Sequence, residues 1–137
     1  MNRSFCGAAL AAALMLSAGA AQAACDTAAA AEQCKGKLVD WFQVVNNYSL
    51  SADAGMPVSV ADDHVLSSRM EYRVVICGDP ATTFVLENGA REAVMNNGTS
   101  GALQQDIVLK VPKASVYYLV FQAPADSCGA AVLGLKR

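Results

Sequence analysis

The chain has 137 residues and a formal net charge of −2, which suits one modest domain. Acidic and basic residues are interspersed, and no run of Lys or Arg occurs. Non-specific binding to nucleic acid needs clustered Lys and Arg, so the sequence predicts no nucleic-acid partner. For the same reason a strongly anionic membrane surface is not the expected target.

The first 23 residues have the three parts of a secretory signal peptide. Arg3 is the positive start, the segment from Phe5 to Leu16 is almost wholly apolar, and the small-residue pattern Ala21-Gln22-Ala23 follows. The apolar run is too short to span a bilayer, and no later stretch is apolar enough, so we expect no transmembrane segment. Cleavage after Ala23 leaves residues 24–137, a secreted or periplasmic protein. The Ala-rich leader is typical of bacteria.

The remaining chain holds four cysteines, Cys25, Cys34, Cys77 and Cys128. An even count in an exported chain predicts two disulfides. Zinc sites usually contain cysteine pairs spaced by two to four residues, and none occurs here, so we expect no metal and no cofactor. Lipid attachment at Cys25 is the alternative. It is disfavoured because acylation sites carry a small or apolar residue three positions earlier, where this chain has Gln22.

Four cysteines allow three pairings. Cys77 and Cys128 both end apolar, strand-like runs, which favours a Cys77–Cys128 bridge and leaves Cys25 with Cys34. That second pair carries a geometric condition. Nine residues of continuous helix separate two residues by about 13 Å, whereas a disulfide needs Cα atoms within about 7 Å. The Ala-rich segment between them must therefore bend, or this pairing is wrong.

Residues 24–55 are predicted to form a helical segment and a loop before a β-sandwich at 56–137. Asp26 is a candidate N-cap of a short helix. Further on, Leu38, Trp41, Phe42 and Val45 have the spacing of one helix face, which predicts a helix packed on the core through these side chains. A strand is the alternative, because Val39, Val44 and Val45 are β-branched.

From Met56 onward, short apolar or alternating runs recur about every ten residues, with turn signals between them. This spacing predicts a mainly β protein, an antiparallel, jelly-roll-like β-sandwich with a short N-terminal helix and disulfides. The continuous apolar run from Val116 to Phe121 indicates a strand buried on both sides. The predicted strands are Pro57–Val60, Met70–Cys77, Thr82–Leu86, Arg91–Met95, Asp106–Val111, Val116–Phe121 and Ala130–Leu135.

The order of three segments resembles a known family. Tyr72–Asp79 (YRVVICGD) precedes Phe84–Gly89 (FVLENG), and Val116–Phe121 (VYYLVF) comes later, before a cysteine and a last short strand. In this order the stretch 65–135 resembles the pre-peptidase C-terminal β-sandwich of secreted bacterial proteins. The resemblance implies a non-catalytic accessory or carbohydrate-surface module. That family often carries an acidic strand that helps to bind calcium, but this chain has Thr82 to Val85 there, so no calcium site is expected.

The sequence contains one candidate reactive cluster, Asp62-Asp63-His64, with the only histidine. On a strand only Asp62 and His64 share a face, and two ligands do not close a metal site. A solvated loop is therefore the expected structure. No glycine-framed serine occurs, and bridged cysteines offer no thiol nucleophile. The sequence predicts that the protein is not an enzyme.

A binding module that recognises a protein or a cell-envelope glycan is the leading hypothesis. The candidate binding surface comprises Trp41, Tyr48, Asp62, His64 and Asn97. The alternative is a small inhibitor or regulator of an extracellular enzyme, which would insert a protruding loop such as Asn96 to Gly101 into a cleft. A hydrolase is the third and least favoured hypothesis.

Overall fold

A computed structural model describes residues 25–38, 41–52, 55–98 and 101–137. The proposed signal peptide at 1–23 lies outside the described residues. A short helix is followed by eight strands. Their bounds are α1 Thr27–Lys35, β1 Phe42–Ser49, β2 Val58–Leu66, β3 Tyr72–Cys77, β4 Thr83–Glu87, β5 Ala93–Asn96, β6 Asp106–Leu109, β7 Ser115–Ala123 and β8 Ala130–Lys136.

The strands form two four-stranded sheets in which every pairing is antiparallel. Sheet A has the order β1-β8-β3-β6, and sheet B has the order β2-β7-β4-β5. This interleaving of early and late strands is the topology of a jelly roll, in which two Greek keys form the two sheets. The β-sandwich predicted from the sequence, with its short N-terminal helix and its disulfides, is confirmed.

The core lies between the sheets, where alternate residues of each strand face inward. Leu119 and Phe121 of β7 are fully buried, and so are Phe84 and Leu86 of the neighbouring β4. The Phe121 ring lies 5.0 Å from the rings of both Phe84 and Tyr48, which joins the two sheets through aromatic contacts. Alternation of this kind is what the strand-like runs of the sequence predict.

The segment after the helix is a strand, so the prediction of a second helix through Trp41, Phe42 and Val45 is wrong. Residues 42–49 pair with β8 along their whole length, with a bulge between Val44 and Asn46. The bulge interrupts the alternation at Val45, and two residues of the supposed helix face, Leu38 and Trp41, precede the strand. Residues 39 and 40 lie outside the described residues. The sandwich therefore begins at Phe42, before the predicted boundary at residue 56.

Two further strand predictions need correction. Strand β2 runs through Asp62-Asp63-His64 and pairs with β7 over nine residues, so these three residues are not in a loop. Strand β7 is buried on one face only: Val116 is 38 % exposed on the other. The strands buried on both faces are β8 and the end of β3 from Val74 to Cys77, because α1 covers their outer side.

The helix lies on the outer face of sheet A, against β8, β3 and β1. Asp26 caps it by accepting a hydrogen bond from the Ala29 N–H at 2.9 Å, as predicted. Its buried residues, Ala31 and Cys34, lie one turn apart and face the sheet. Cys34 forms a second apolar cluster with Val75, Cys77 and Val132, outside the main core.

The two disulfides are Cys25–Cys128 and Cys34–Cys77, with Cα–Cα distances of 5.4 and 5.7 Å. The predicted pairing of Cys77 with Cys128 and of Cys25 with Cys34 is therefore wrong. Its geometric condition fails because α1 runs unbent from Thr27 to Lys35 and holds Cys25 and Cys34 apart. Cys77 ends β3 on the outer face of sheet A, under the buried side of the helix, so Cys34 is its neighbour.

Candidate functional site

The predicted pair Asp62 and His64 lies on the inner face of β2, at the edge where β2 of sheet B faces β1 of sheet A. Both residues are half-buried. The Tyr48 hydroxyl donates a hydrogen bond to Asp62 Oδ2 at 2.9 Å, and Asn46 Nδ2 donates to the same oxygen at 3.3 Å. One carboxylate therefore joins the two sheets across the open edge of the sandwich.

The position of Tyr48 at this edge raises the pKa of its hydroxyl. Burial raises the pKa of its hydroxyl far above the ordinary value of 10.0, and the hydrogen bond to the Asp62 carboxylate raises the pKa further. The ring itself is 6 % exposed, so Tyr48 offers no stacking surface. Within the residues that the structure describes, no group of three or more His, Cys, Asp and Glu side chains is placed to hold a metal ion.

Asn97, another predicted surface residue, is 2 % exposed and acts inside the fold. Its Oδ1 accepts a hydrogen bond from the Phe84 N–H at 2.9 Å, and its Nδ2 donates to the carbonyls of Thr82 and Gln104, each at 3.0 Å. The side chain thus ties the segment after β5 to the start of β4. Residues 99 and 100 of the proposed inhibitory loop lie outside the described residues.

Trp41 is 59 % exposed, so the expectation that it packs on the core is wrong. It stands just before β1, and its carbonyl accepts a hydrogen bond from the Arg137 N–H at 2.8 Å. The five predicted surface residues therefore do not form one site. Tyr48, Asp62 and His64 lie at the β1–β2 edge, Trp41 stands at the start of β1, and Asn97 is buried beside β5, the far edge strand of sheet B.

Sequence reasoning missed an apolar surface on the outer side of sheet B, which we call the open face. Cross-strand register places Ala61, Val120 and Val85 in one row on it, while Val65 and Val116 form another. The face is exposed at its edges, where Val65 on β2 and Val94 on β5 are 68 % and 40 % exposed. The alternating valines of these strands were the available signal, but only the packing shows which face lacks a cover.

The open face carries one aromatic ring, and that ring is already in contact. The Arg91 guanidinium lies over the Tyr118 ring, 4.1 Å from its centroid, and Arg91 Nε also donates to Glu87 Oε1 at 2.9 Å. Tyr118 itself is half-buried. A sugar that stacks on an aromatic ring would first have to displace the guanidinium.

Sequence reasoning also missed a groove at one end of sheet A, which we call the basic groove. The turn before β3 and the ends of β6 and β8 meet there, because Tyr72 pairs with both Leu109 and Leu135. The groove encloses about 550 Å³ and is lined by Ser68, Arg69, Met70, Glu71, Lys110, Lys136 and Arg137. Its four basic side chains come from three distant parts of the chain, so no basic run marks it in the sequence.

Among the described residues no helix has the length and apolarity needed to cross a membrane. No protein-family model, no curated protein and no solved structure matches this chain. The resemblance to the pre-peptidase C-terminal domain therefore stays a prediction.

Proposed function

We propose that the protein is an exported, non-catalytic binding module, and that the open face of sheet B contacts a protein partner. The observation that supports this is the unequal cover of the two sheets. On sheet A, α1 covers the central strands β8 and β3, although Val45 and Val108 on the edge strands are exposed. No described helix covers sheet B, where Val116 on the central strand β7 is 38 % exposed. Exposed apolar side chains with polar groups among and around them are typical of protein interfaces.

The side chains of the open face favour a protein over a glycan as its partner. Glycan recognition needs exposed aromatic rings and many hydrogen-bonding groups. This face offers two rows of Val and Ala side chains, and Arg91 occupies its one ring. A polar row of Asp63, Tyr118 and Glu87 separates the two apolar rows, and Gln122 lies at one end of the face, where it suits the rim of a protein interface.

Two disulfides support the export half of the proposal, because such bridges persist in oxidising compartments outside the cytoplasm. The non-catalytic half is supported by the contacts of Asp62, one of the two candidate acid–base residues. Asp62 already bonds two neighbouring side chains across the sandwich edge, where it has a structural role. No observation favours the inhibitor hypothesis.

The test compares two double variants, each with two new charges on edge strands. Val65→Asp/Val94→Asp alters the open face, and the control Val45→Asp/Val108→Asp alters residues of sheet A that are 38 % and 47 % exposed. The tagged protein, expressed for export, is used to capture partners from an envelope extract, and the captured protein is then purified. We expect the Kd for the captured protein to rise at least about tenfold in the open-face variant, because two apolar contacts are lost. In the control variant the same Kd should stay within about twofold of the wild-type value.

The proposal is contradicted if both variants lose affinity equally. It is also contradicted if the wild type captures no protein beyond those retained by a matrix without bait. Melting temperatures of the three proteins establish that each is folded. Mass spectrometry of the exported chain tests processing after Ala23 separately.

A further inference from the structure

We infer that the basic groove is a second binding site, separate from the open face, and that its ligand is an acidic polysaccharide. The groove gathers Arg69, Lys110, Lys136 and Arg137 around a single carboxylate, Glu71. The chain as a whole is acidic, with a formal net charge of −2. This local excess of positive charge therefore stands out against the rest of the surface and complements an anionic ligand.

The two lysines of the groove are available to a ligand, whereas Arg137 Nε already donates a hydrogen bond to Gln43 Oε1 at 3.0 Å. Lys136 Nζ lies 3.0 Å from Glu71 Oε2 and Lys110 Nζ lies 3.9 Å from Glu71 Oε1, yet the two lysine side chains are 49 % and 74 % exposed. Exposed ion pairs of this kind contribute little free energy, so a ligand carboxylate or sulfate replaces them at small cost. Charge-assisted hydrogen bonds to such a group are stronger than neutral ones.

The backbone holds this end of the sheet in place. The Ser67 N–H donates to the Tyr72 hydroxyl oxygen at 2.9 Å, and the Arg69 N–H donates to Ser67 Oγ at 3.2 Å, which fixes the turn that carries Arg69. On the other side, the Lys136 N–H donates to the Glu71 carbonyl at 2.9 Å. The groove is therefore formed by anchored backbone, and a ligand needs to order only the side chains.

Two features favour a polysaccharide over a phospholipid surface. Glu71 and Ser68 provide acceptors for the hydroxyl groups of a sugar chain beside the cations. In addition, Trp41 is the only exposed aromatic residue among those described. Its carbonyl accepts a hydrogen bond from the N–H of Arg137, a residue of the groove. An exposed indole at this end of the sheet is suited to stacking on a sugar ring.

The experiment measures binding of the exported protein to polygalacturonate, with neutral dextran and phosphatidylglycerol vesicles as the other two probes. We expect saturable binding to polygalacturonate at low salt, weakened as salt is added, and no binding to dextran or to the vesicles. Arg69→Gln/Lys110→Gln is expected to raise Kd at least about tenfold, because charge-assisted contacts are lost. The matched control, Lys35→Gln/Lys37→Gln at the end of α1, removes the same charge and should leave Kd within about twofold.

A third variant, Trp41→Ala, is expected to raise Kd for polygalacturonate with an unchanged melting temperature. The open-face variant Val65→Asp/Val94→Asp should bind polygalacturonate like the wild type, so failure of one proposal is distinguishable from failure of the other. If the groove variant and its control lose the same affinity for polygalacturonate, the binding depends only on net charge and the inference is overturned. Binding to the vesicles alone, or to none of the three probes, would overturn it as well.

Discussion

The outer faces of the two sheets carry similar residues, but their central strands differ in exposure. On sheet A, Val75 of β3 and Val132 of β8 are 1 % and 0 % exposed beneath α1. On sheet B, Val65 of β2 and Val116 of β7 also point away from the core, and they are 68 % and 38 % exposed. Val75, Val132 and Val116 all lie on central strands, so the difference among these three comes from α1, whereas Val65 is also exposed because β2 is an edge strand.

The cover of sheet A depends on covalent bonds. A helix of nine residues is marginal by itself in water, and only Ala31 and Cys34 of α1 are buried. The Cys25–Cys128 bridge holds the chain just before the helix, and the Cys34–Cys77 bridge holds its last turn on β3. Sheet B has no such bridge, since all four bridged cysteines lie outside it.

The largest expected effects come from removing either disulfide bridge, and the two removals differ in what they expose. Cys34→Ala/Cys77→Ala should lower the free energy of unfolding by about 4 kcal/mol, the chain-entropy value for a loop of this length. It should also expose Val75 and Val132, so binding of a hydrophobic dye to the native protein should increase. The control Cys25→Ala/Cys128→Ala should bind little dye, because Cys34 still holds α1. Equal dye binding by the two variants would show that the helix is not held this way.

A pair of identical substitutions compares the two faces directly. Val132→Ala on the covered face should lower the free energy of unfolding by about 2 kcal/mol, because it leaves a cavity under the helix. Val65→Ala on the open face should change the free energy of unfolding by less than about 0.5 kcal/mol. Urea unfolding of both variants measures the difference. Equal losses would mean that Val65 is covered in solution, for instance by a second copy of the chain.

The smallest effect concerns the edge where the two sheets meet. Tyr48→Phe should lower the free energy of unfolding by about 1 kcal/mol near pH 7, since it removes the hydrogen bond to Asp62. The pKa of Tyr48 is raised in the folded protein above the ordinary 10.0, so its stabilising contribution is complete below pH 10 and declines as the pH rises above that value. The difference in the free energy of unfolding between wild type and variant should therefore become smaller between pH 7 and pH 10.5. A difference that does not change with pH would contradict a raised pKa at Tyr48.

The strands of the middle and end of the chain were predictable, but β1 and β2 were not. The alternation in Tyr72–Cys77 and in Asp106–Leu109 marks one apolar face, and those strands were located within two residues of their ends. In β1 the bulge between Val44 and Asn46 interrupts the alternation, and Leu38 and Trp41 of the supposed helix face precede the strand. In β2 the inward residues Asp62 and His64 are polar, and only a partner on the opposite sheet makes that arrangement stable.

The candidate surfaces were less predictable than the fold. Trp41 is exposed, whereas the helical spacing around it suggested a core position. Asn97 was also predicted to lie on the binding surface, but its buried amide hydrogen-bonds to the backbone of Phe84 and Thr82. The basic groove was invisible in the sequence, because Arg69, Lys110 and Lys136 meet only when β3, β6 and β8 align their ends.

By itself, the sequence determined that the chain forms short strands and that its four cysteines pair. Both properties follow from local pattern and from the cysteine count, which need no knowledge of distant neighbours. The pairing of the cysteines, the cover on sheet A and the gathering of cations at one end of that sheet were decided by tertiary structure alone. Each of these depends on which residues, tens of positions apart, the antiparallel register places side by side, and register is a property of the assembled sheets.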